Sequence, residues 1–289
     1  MSLTEKLTSI KENLTSVLGD INTALVNKGA REVINLADIP MEIESIEHVY
    51  DGEPGKPYID TSLITNWREF FINGRRLELL PLIDTSSGEN FHAMFSGCSS
   101  LTTIPYLNTS NGTDFSYMFV NDTALTSVPQ LNTSNGTNFA RMFYGCTSLT
   151  SLPQLDTSKA TNLDYYIYNC DSLVSTPRID TSQATSFSGA FMNCEALESL
   201  EITTTKIMLT AIQNCPNLKN LIIGEGFNQS IVYLDTCPNL TQESLHGMIE
   251  NLADMTGLDT KTFNVGSTNL AKIDEEHISM LEAKNWSYS

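Results

Sequence analysis

Hydrophobic residues recur with a period of 24 through the middle of the chain. A leucine marks one step of each unit, with shorter spacing toward the end: Leu101, Leu125, Leu149, Leu173, Leu197, Leu218 and Leu240. A cysteine stands three residues before most of these leucines: Cys98, Cys146, Cys170, Cys194, Cys215 and Cys237. Asp122 stands at the position where the cysteine is missing. After Cys194 the spacing falls to 21 and 22 residues, and we expect the curvature of the stacked repeats to change there. Such self-similarity predicts stacked structural repeats.

Each repeat contains signals for one short strand, one turn and one short helix. Residues 149–152 form an extended piece that Pro153 ends, because proline cannot donate to a strand ladder. An Asp/Asn-Thr-Ser triplet follows, typical of turns and helix caps. Residues 138–146 then carry apolar side chains at i, i+3, i+4 and i+7, which predicts one or two helical turns. The pattern predicts an α+β solenoid with coils of 24 residues, each a short strand plus a short helix.

The repeats are predicted to span residues 58–240, and residues 241–289 to form an α/β C-terminal cap. In this cap the pattern predicts a helix that buries Leu245, Met248, Ile249 and Leu252, a strand at residues 262–265, a helix from Asp274 and a last strand near Trp286.

The segment before the repeats has a different pattern. Apolar residues alternate three and four apart, which predicts an oligomerisation seam at Leu3, Leu7, Ile10, Leu14, Val17, Ile21 and Ala24. Residues 1–50 are therefore predicted to form a helical attachment segment that makes a parallel homo-oligomer, with a trimer as the expected state. The alternative is a single amphipathic helix that packs on its own protein. Residues 51–57 have the glycine and proline content of a linker.

The repeats resemble the BspA-like leucine-rich repeats of bacterial surface proteins and phage-encoded proteins. The resemblance covers residues 58–289 and is carried by segments such as MFYGCTSLTSLPQLDTSKATNL. The run NKGAREVINLADIPMEIESIE is similar to N-terminal segments of phage virion proteins. Together these resemblances imply a leucine-rich-repeat protein of the virion. Residues 1–50 would contact other virion proteins, and the repeats would face a glycan or protein of the host surface.

Charge and composition narrow the possible partners. The chain has 16 basic and 34 acidic residues, a net charge of −18, which argues against nucleic acid and anionic membranes. No apolar run is long enough to span a membrane. The first 30 residues lack a secretory signal, so we expect folding in a reducing cytoplasm and assembly into a virion. The alternatives are a bacterial surface adhesin and an intracellular protein-binding scaffold.

The sequence contains no motif that predicts an enzyme, a cofactor or a metal site. The 24-residue cysteine spacing does not fit zinc, and buried reduced thiols are expected, although stacked neighbours could approach disulfide distance. The histidines at 48, 92, 246 and 277 stand at different repeat steps, so we expect no ligand set or triad. Turn capping explains the repeated Asp and Asn better than calcium binding, which needs several acidic oxygens per site.

The expected extended pieces carry hydroxyl side chains that would line up from unit to unit. This hydroxyl face consists of Thr102, Thr103, Thr126, Ser127, Thr150, Ser151, Ser175 and Ser199. Few charges accompany it, so it suits sugars or other neutral polar polymers. The alternative is that serine and threonine only keep an exposed surface soluble.

Overall fold

The structure, a computed structural model, describes residues 63–78, 80, 83–203, 211–231 and 234–289. The N-terminal segment 1–50 with its seam from Leu3 to Ala24, the linker 51–57 and the start of the repeats at residue 58 lie outside the described residues. The trimer therefore stays a prediction. No helix within the described ranges combines the length and apolar character needed to cross a membrane.

Successive repeat units are joined by columns of backbone hydrogen bonds. The amide of Phe91 donates to the carbonyl of Asp114, that of Phe115 to Asn138 and that of Phe139 to Asn162, each at a distance of 2.9 Å. Three similar columns run beside this one. In each column the carbonyl of a peptide group accepts a hydrogen bond from the preceding unit, and its N–H donates one to the following unit. Single parallel bridges also join the same step of each unit, at Asn66, Asn90, Asp114, Asn138, Asn162 and Ser186.

The helix predicted for residues 138–146 does not form, and this stretch is a run of tight turns. The amides of Met142, Tyr144 and Cys146 donate to carbonyls three residues back, whereas the intervening amides donate to the next unit. An α-helix would instead bond each amide to the carbonyl four residues back. Consecutive three-residue turns bury the same i, i+3, i+4 and i+7 positions as a helix, which is why the prediction was wrong here.

The strand predicted at residues 149–152 is also absent. This piece makes one backbone bond to the preceding unit, from the Thr150 amide to the Thr126 carbonyl at 3.2 Å. Regular strands begin where the repeat spacing shortens. Strand β1 (Phe191–Met192) pairs in parallel with β3 (Ile212–Gln213), and β2 (Ser199–Glu201) pairs in parallel with β4 (Asn220–Ile222).

Phenylalanine rings fill the interior in two stacked columns. One contains Phe91, Phe115 and Phe139, and the other contains Phe71, Phe95, Phe119 and Phe143, with neighbouring ring centroids 5.4–5.6 Å apart. The cysteines lie in the same core as buried thiols outside any disulfide bond, which confirms the predicted burial, whereas their reduced state stays a prediction. Four of the thiols donate to carbonyls 27 residues earlier, as Cys146 does to Phe119 at 2.9 Å, and the Cys215 thiol donates to the Phe191 carbonyl 24 residues earlier.

The Asp/Asn-Thr-Ser triplets cap tight turns, as predicted. The first side chain of each triplet accepts from the serine amide two residues on, as Asp84 does from Ser86 at 2.8 Å. The central threonines are buried. The hydroxyls of the threonines at 85, 109 and 133 each donate a hydrogen bond to a carbonyl of the next unit at a distance of 2.9 Å. The triplets therefore both shape a unit and attach it to the next one.

The C-terminal segment is built from regular elements. A 3₁₀ turn (Leu234–Thr236) precedes helix α1 (Gln242–Asn251), strand β5 (Lys261–Phe263), helix α2 (Gly266–Leu270), helix α3 (Glu275–Ala283) and strand β6 (Trp286–Tyr288). The predicted order of helix, strand, helix and strand is confirmed, with α2 in addition. Leu245, Met248, Ile249 and Leu252 are buried as predicted.

Single side chains attach the ends of these elements. Thr241 caps α1 by accepting from the Ser244 amide, and Asp274 caps α3 by accepting from the His277 amide. The Lys284 ammonium donates to the carbonyls of Ile249, Glu250 and Leu252 at 3.1, 2.8 and 2.8 Å. This lysine satisfies the last carbonyls of α1, which have no partner inside the helix.

Candidate functional site

The structure places the hydroxyl face at the surface, in rows that run from unit to unit. Thr102, Thr126 and Thr150 are exposed, and so are Thr103, Ser127, Ser151 and Ser175, whereas Ser199 is half-buried. The Thr126 hydroxyl donates to the Thr102 carbonyl at 3.3 Å, and the Thr150 hydroxyl donates to the Thr126 carbonyl at 3.2 Å. These bonds occupy the hydroxyl protons and leave oxygen lone pairs for a ligand.

A second row of threonines, which the sequence analysis missed, lies at another step of the repeat. It contains Thr113, Thr137, Thr161 and Thr185. All four are exposed, and each donates its hydroxyl to the carbonyl 24 residues earlier, at 3.0–3.3 Å. The recurrence of threonine every 24 residues was the signal that could have revealed this row.

Beside the single-bridge column lies a groove of about 300 Å³, which we call the tyrosine groove. Its lining comes from five successive units: Arg68, His92, Asp114, Ser116, Tyr117, Asn138, Ala140, Arg141, Asn162, Asp164 and Tyr165. Two arginines and two aspartates balance in charge. The groove therefore combines aromatic faces with hydrogen-bonding groups and no excess of one charge, a pattern typical of sites for polar neutral ligands.

Arg141 occupies the middle of the tyrosine groove between two aromatic rings. Its guanidinium carbon lies 5.2 Å from the ring centroid of Tyr117 and 4.9 Å from that of Tyr165. It also donates a hydrogen bond to the Tyr117 hydroxyl. Tyr168 extends the aromatic surface, 5.6 Å from Tyr165 and stacked on Tyr144 at 4.9 Å. These contacts hold the arginine and the tyrosine rings in fixed positions before any ligand arrives.

A chain of polar contacts forms the other side of the tyrosine groove. His92 Nδ1 lies 2.7 Å from the Ser116 hydroxyl, which donates to Asp114 Oδ1 at 2.5 Å. Burial, and secondarily the Arg68 charge, lower the pKa of His92, which favours the neutral ring at pH 7. Because the serine proton is held by Asp114, His92 Nδ1 donates to the serine instead of activating it. The three side chains thus act as a hydrogen-bonded wall.

The backbone under the tyrosine groove is left-handed at the same step of six successive described units. Glu69, Ala93, Tyr117, Arg141, Tyr165 and Gly189 have φ between 52° and 61°. This conformation costs roughly 1–2 kcal/mol for a residue with a Cβ and persists only where surrounding contacts enforce it. Here the next unit enforces it, since the Tyr117 amide donates to the Ala140 carbonyl at 2.8 Å. A Cβ at Gly189 would lie 2.7 Å from the Tyr165 ring, so glycine makes room for that ring.

A second, wider groove of about 840 Å³ lies along the Asp/Asn-Thr-Ser turns and includes Tyr106, Gln130, Gln154 and Arg178 in its lining. The Gln130 amide group donates to the Gln154 carbonyl at 2.6 Å, and the Gln154 amide group donates to the Arg178 carbonyl at 2.9 Å. Because these side chains already bind backbone of the next unit, the groove offers fewer uncommitted groups to a ligand than the tyrosine groove does.

The expectation that the histidines could not be gathered was wrong for two of them. His246 of α1 and His277 of α3 stack with ring centroids 3.5 Å apart, and one ligand atom from each of His246, Asp274 and His277 lies within 4.8 Å of the others. The two histidines are 31 residues apart, and only the packing of two helices brings them together. His92 lies in the tyrosine groove, and His48 is outside the described residues.

The repeats are similar to one family of proteins. Residues 65–178 and 89–204 match the model of a family described as a Mycoplasma protein of unknown function, DUF285. No curated protein and no solved structure matches the chain significantly. The matched residues contain the whole tyrosine groove and the whole hydroxyl face, so the similarity to the DUF285 family concerns the part of the chain that forms both surfaces.

Proposed function

We propose that the chain is a non-enzymatic phage structural protein whose leucine-rich-repeat solenoid binds a neutral glycan of the host surface. The observation that carries this proposal is the tyrosine groove, which continues across five units and combines fixed rings with paired charges. A tyrosine offers an apolar face and a polar hydroxyl, which suits sugar rings that also have both. Asp, Asn and Arg side chains supply acceptors and donors for ligand hydroxyls.

The hydroxyl face is the second surface available to such a ligand. Its rows follow the stack, so a polymer could contact several units at once. Each neutral hydrogen bond contributes only about 0.5–1.5 kcal/mol, and binding by one copy is therefore weak. Useful attachment needs many copies on one particle, which a trimeric subunit repeated on a virion would supply. In this proposal residues 1–50 form the trimer and contact other virion proteins.

A bacterial surface adhesin is the second candidate, and the match to a family model described as a Mycoplasma protein favours it. Both candidates use the same binding surface but differ in location. Antibodies against the chain would separate them, because a virion protein sediments with purified particles whereas an adhesin stays with uninfected cells. A chain found in neither fraction would contradict both.

Binding is tested with full-length protein on glycan arrays and host cells. The variant Tyr117→Ala/Tyr165→Ala should weaken binding by about tenfold per ring. Tyr106→Ala is the matched control, because its side chain is 73% exposed outside the tyrosine groove. A second variant changes Thr126, Ser127, Thr150 and Ser151 to glutamine and tests the hydroxyl face. Folded variants that both bind like the wild type, or a wild type that binds no glycan, would contradict the proposal.

A further inference from the structure

A row of asparagine and aspartate side chains runs beside the tyrosine groove, one from each of five successive units. This Asn/Asp row follows the column of single parallel bridges and consists of Asn66, Asn90, Asp114, Asn138 and Asn162. In each case a side-chain oxygen accepts a hydrogen bond from the backbone amide two residues on. The distance is 3.2 Å from the Ala140 amide to Asn138 and 3.0 Å from the Asp164 amide to Asn162.

These backbone bonds determine which way each asparagine amide group points. A backbone N–H only donates, so the side-chain oxygen must face it and the NH₂ group must face away from it. Asn138 and Asn162 are half-buried and line the tyrosine groove. Within the part of the chain that the structure describes, neither of their NH₂ groups has a partner in the protein. The fold thus leaves these N–H donors to a ligand.

The carboxylates of the tyrosine groove are more occupied than its amides. Asp164 Oδ1 accepts from the Ser188 amide at 2.6 Å, and Asp164 Oδ2 accepts from the Ser186 hydroxyl at 2.7 Å. Asp114 Oδ1 accepts from both the amide and the hydroxyl of Ser116, which leaves Asp114 Oδ2 for another donor. Among the side-chain groups of the groove that are available to a ligand, N–H donors therefore outnumber oxygen acceptors.

A groove rich in donors favours a ligand group that accepts hydrogen bonds and adds few protons of its own. A sugar hydroxyl adds a proton that needs an acceptor, whereas an amide carbonyl has two lone pairs and only accepts. The acetamido group of an N-acetylated sugar has such a carbonyl, and Asp114 Oδ2 can accept from its one N–H. A carboxylate also accepts, but the two aspartates of the groove and the net charge of −18 disfavour an anionic ligand.

The spacing of the Asn/Asp row allows two asparagines to bind one carbonyl. Asn138 and Asn162 are neighbours in the bridge column, where adjacent backbones lie about 4.8 Å apart. Because an N–H···O bond spans about 2.9 Å, two amides at this separation can donate to one oxygen between them. Ala140 lines the groove next to Asn138 and offers an apolar contact to the acetamido methyl group. An extended peptide fits less well, because its backbone presents donors as often as acceptors.

We propose that the tyrosine groove selects glycans that contain N-acetylated sugars, with the NH₂ groups of Asn138 and Asn162 donating to the acetamido carbonyl. The rings of Tyr117 and Tyr165 then contact the sugar, and the two asparagines determine its chemical class. This inference rests on the proposed function, because it names the class of sugar that the same groove takes.

The test compares neutral sugars that differ only in this group. Full-length protein is applied to an array of matched oligosaccharide pairs, in which one member has an N-acetylated hexosamine and the other has the corresponding hexose. Affinities are then measured by calorimetry for the pairs that bind. We expect the N-acetylated member of a pair to bind about tenfold more tightly, which corresponds to one good hydrogen bond.

The variant Asn138→Asp/Asn162→Asp removes both NH₂ groups and keeps the oxygens that accept from the backbone, as Asp114 already does at the same step. It should lose the tenfold preference for N-acetylated sugars. Asn66→Asp is the matched control, because Asn66 makes the same bond, from the Arg68 amide at 3.1 Å, but does not line the groove. This control should keep the preference, and circular dichroism verifies that both variants are folded.

Two results would overturn the inference and leave glycan binding itself intact. One is equal binding of the two members of each pair by the wild type, and this result does not depend on the folding of any variant. The other is a folded double variant that keeps the preference for N-acetylated sugars. A wild type that binds no glycan, or that binds extended peptides instead, would contradict both this inference and the proposed function.

Discussion

The repeats of residues 63–190 and the C-terminal segment of residues 241–289 are stabilised in different ways. In the repeats, the described residues form turns and single bridges, and the same backbone bonds and ring contacts recur in each unit. The C-terminal segment has regular helices and strands, and its attachments are made once, such as the three bonds of Lys284. The repeats thus gain stability from periodicity, and the C-terminal segment gains it from individual contacts.

This difference predicts how far the effect of a destabilising substitution extends along the chain. A repeat unit is held by its two neighbours, so a defect in one unit weakens the adjoining interfaces. A defect in the C-terminal segment should remain local, because its contacts do not recur.

Replacing Phe119 by alanine should have the largest effect. The ring is fully buried between those of Phe95 and Phe143, and its loss should lower the free energy of unfolding by about 3–5 kcal/mol. Chemical denaturation measures the loss, and hydrogen exchange should show faster opening in the neighbouring units as well. Leu281→Ala, a buried leucine of α3, should accelerate exchange only in the C-terminal segment. Exchange confined to the mutated unit of Phe119→Ala would contradict the coupling between repeats.

Replacing Lys284 by methionine should cost about 2 kcal/mol, because three carbonyls at the end of α1 lose a charged donor. Hydrogen exchange of α1 together with denaturation measures this effect. Lys159→Met is the matched control in the repeats, since this exposed lysine makes one bond, to Asn135 at 3.0 Å, and should contribute little. Equal losses of stability in the two variants would show that the three bonds of Lys284 do not stabilise α1.

Asp122, the exception at the cysteine step, should make the repeats sensitive to pH. The side chain is fully buried, and burial raises its pKa well above the ordinary value despite hydrogen bonds from the Cys98 and Gly97 amides. A carboxyl whose pKa is raised on folding is most favourable below its unfolded pKa, near 3.9, and loses stability as the pH rises toward its folded pKa. The slope can reach about 1.4 kcal/mol per pH unit.

The variant Asp122→Asn keeps an oxygen acceptor for the Cys98 amide but cannot ionise. The free energy of unfolding of the variant, relative to that of the wild type, should therefore increase as the pH rises above about 4. Denaturation of both proteins across this range measures the difference. A constant difference between them would show that Asp122 does not cause the pH dependence.

Two threonines at the same step of the repeat should respond differently to valine. The Thr109 hydroxyl donates to the Asn132 carbonyl at 2.9 Å, whereas the buried Thr157 hydroxyl has no partner. Thr109→Val should cost about 1 kcal/mol, and Thr157→Val should be neutral or slightly stabilising. Chemical denaturation of the two variants measures the contribution of this one hydrogen bond, because the two threonines occupy the same step of the repeat. A larger loss for Thr157→Val would contradict this assignment of the bonds.

The sequence predicted the period, the buried leucines and cysteines, the capped turns and the order of elements in the C-terminal segment. These features depend on local chemistry, as when Asp84 accepts from Ser86 two residues away. The short helix was wrong because turns that bond to the next unit share the apolar spacing of a helix. That distinction depends on where the Phe139 and Arg141 amides bond, which is a contact between units.

The candidate sites were harder to predict than the fold. The hydroxyl face was found because serine and threonine recur at fixed steps. The tyrosine groove was missed because its residues vary along each step, as with Ala93, Tyr117, Arg141 and Tyr165, so no single residue type repeats. The pair His246 and His277 was missed because their approach depends on how α1 packs against α3.

The backbone columns of the repeats have an electrical consequence. Each peptide group has a dipole, and in the four columns from Trp67 onward the N–H groups of one unit donate to the carbonyls of the next. The dipoles of these four columns add along the stack as they do along an α-helix, although the described residues 63–190 contain no helix. Two other columns, in which Thr113 donates to Glu89 and Thr126 donates to Thr102, run the opposite way and offset part of this sum. The carbonyl end is negative and lies at the first described unit, where Arg68, Arg75 and Arg76 stand. In an acidic chain, these three cations thus gather at the end of the stack that the backbone itself makes negative.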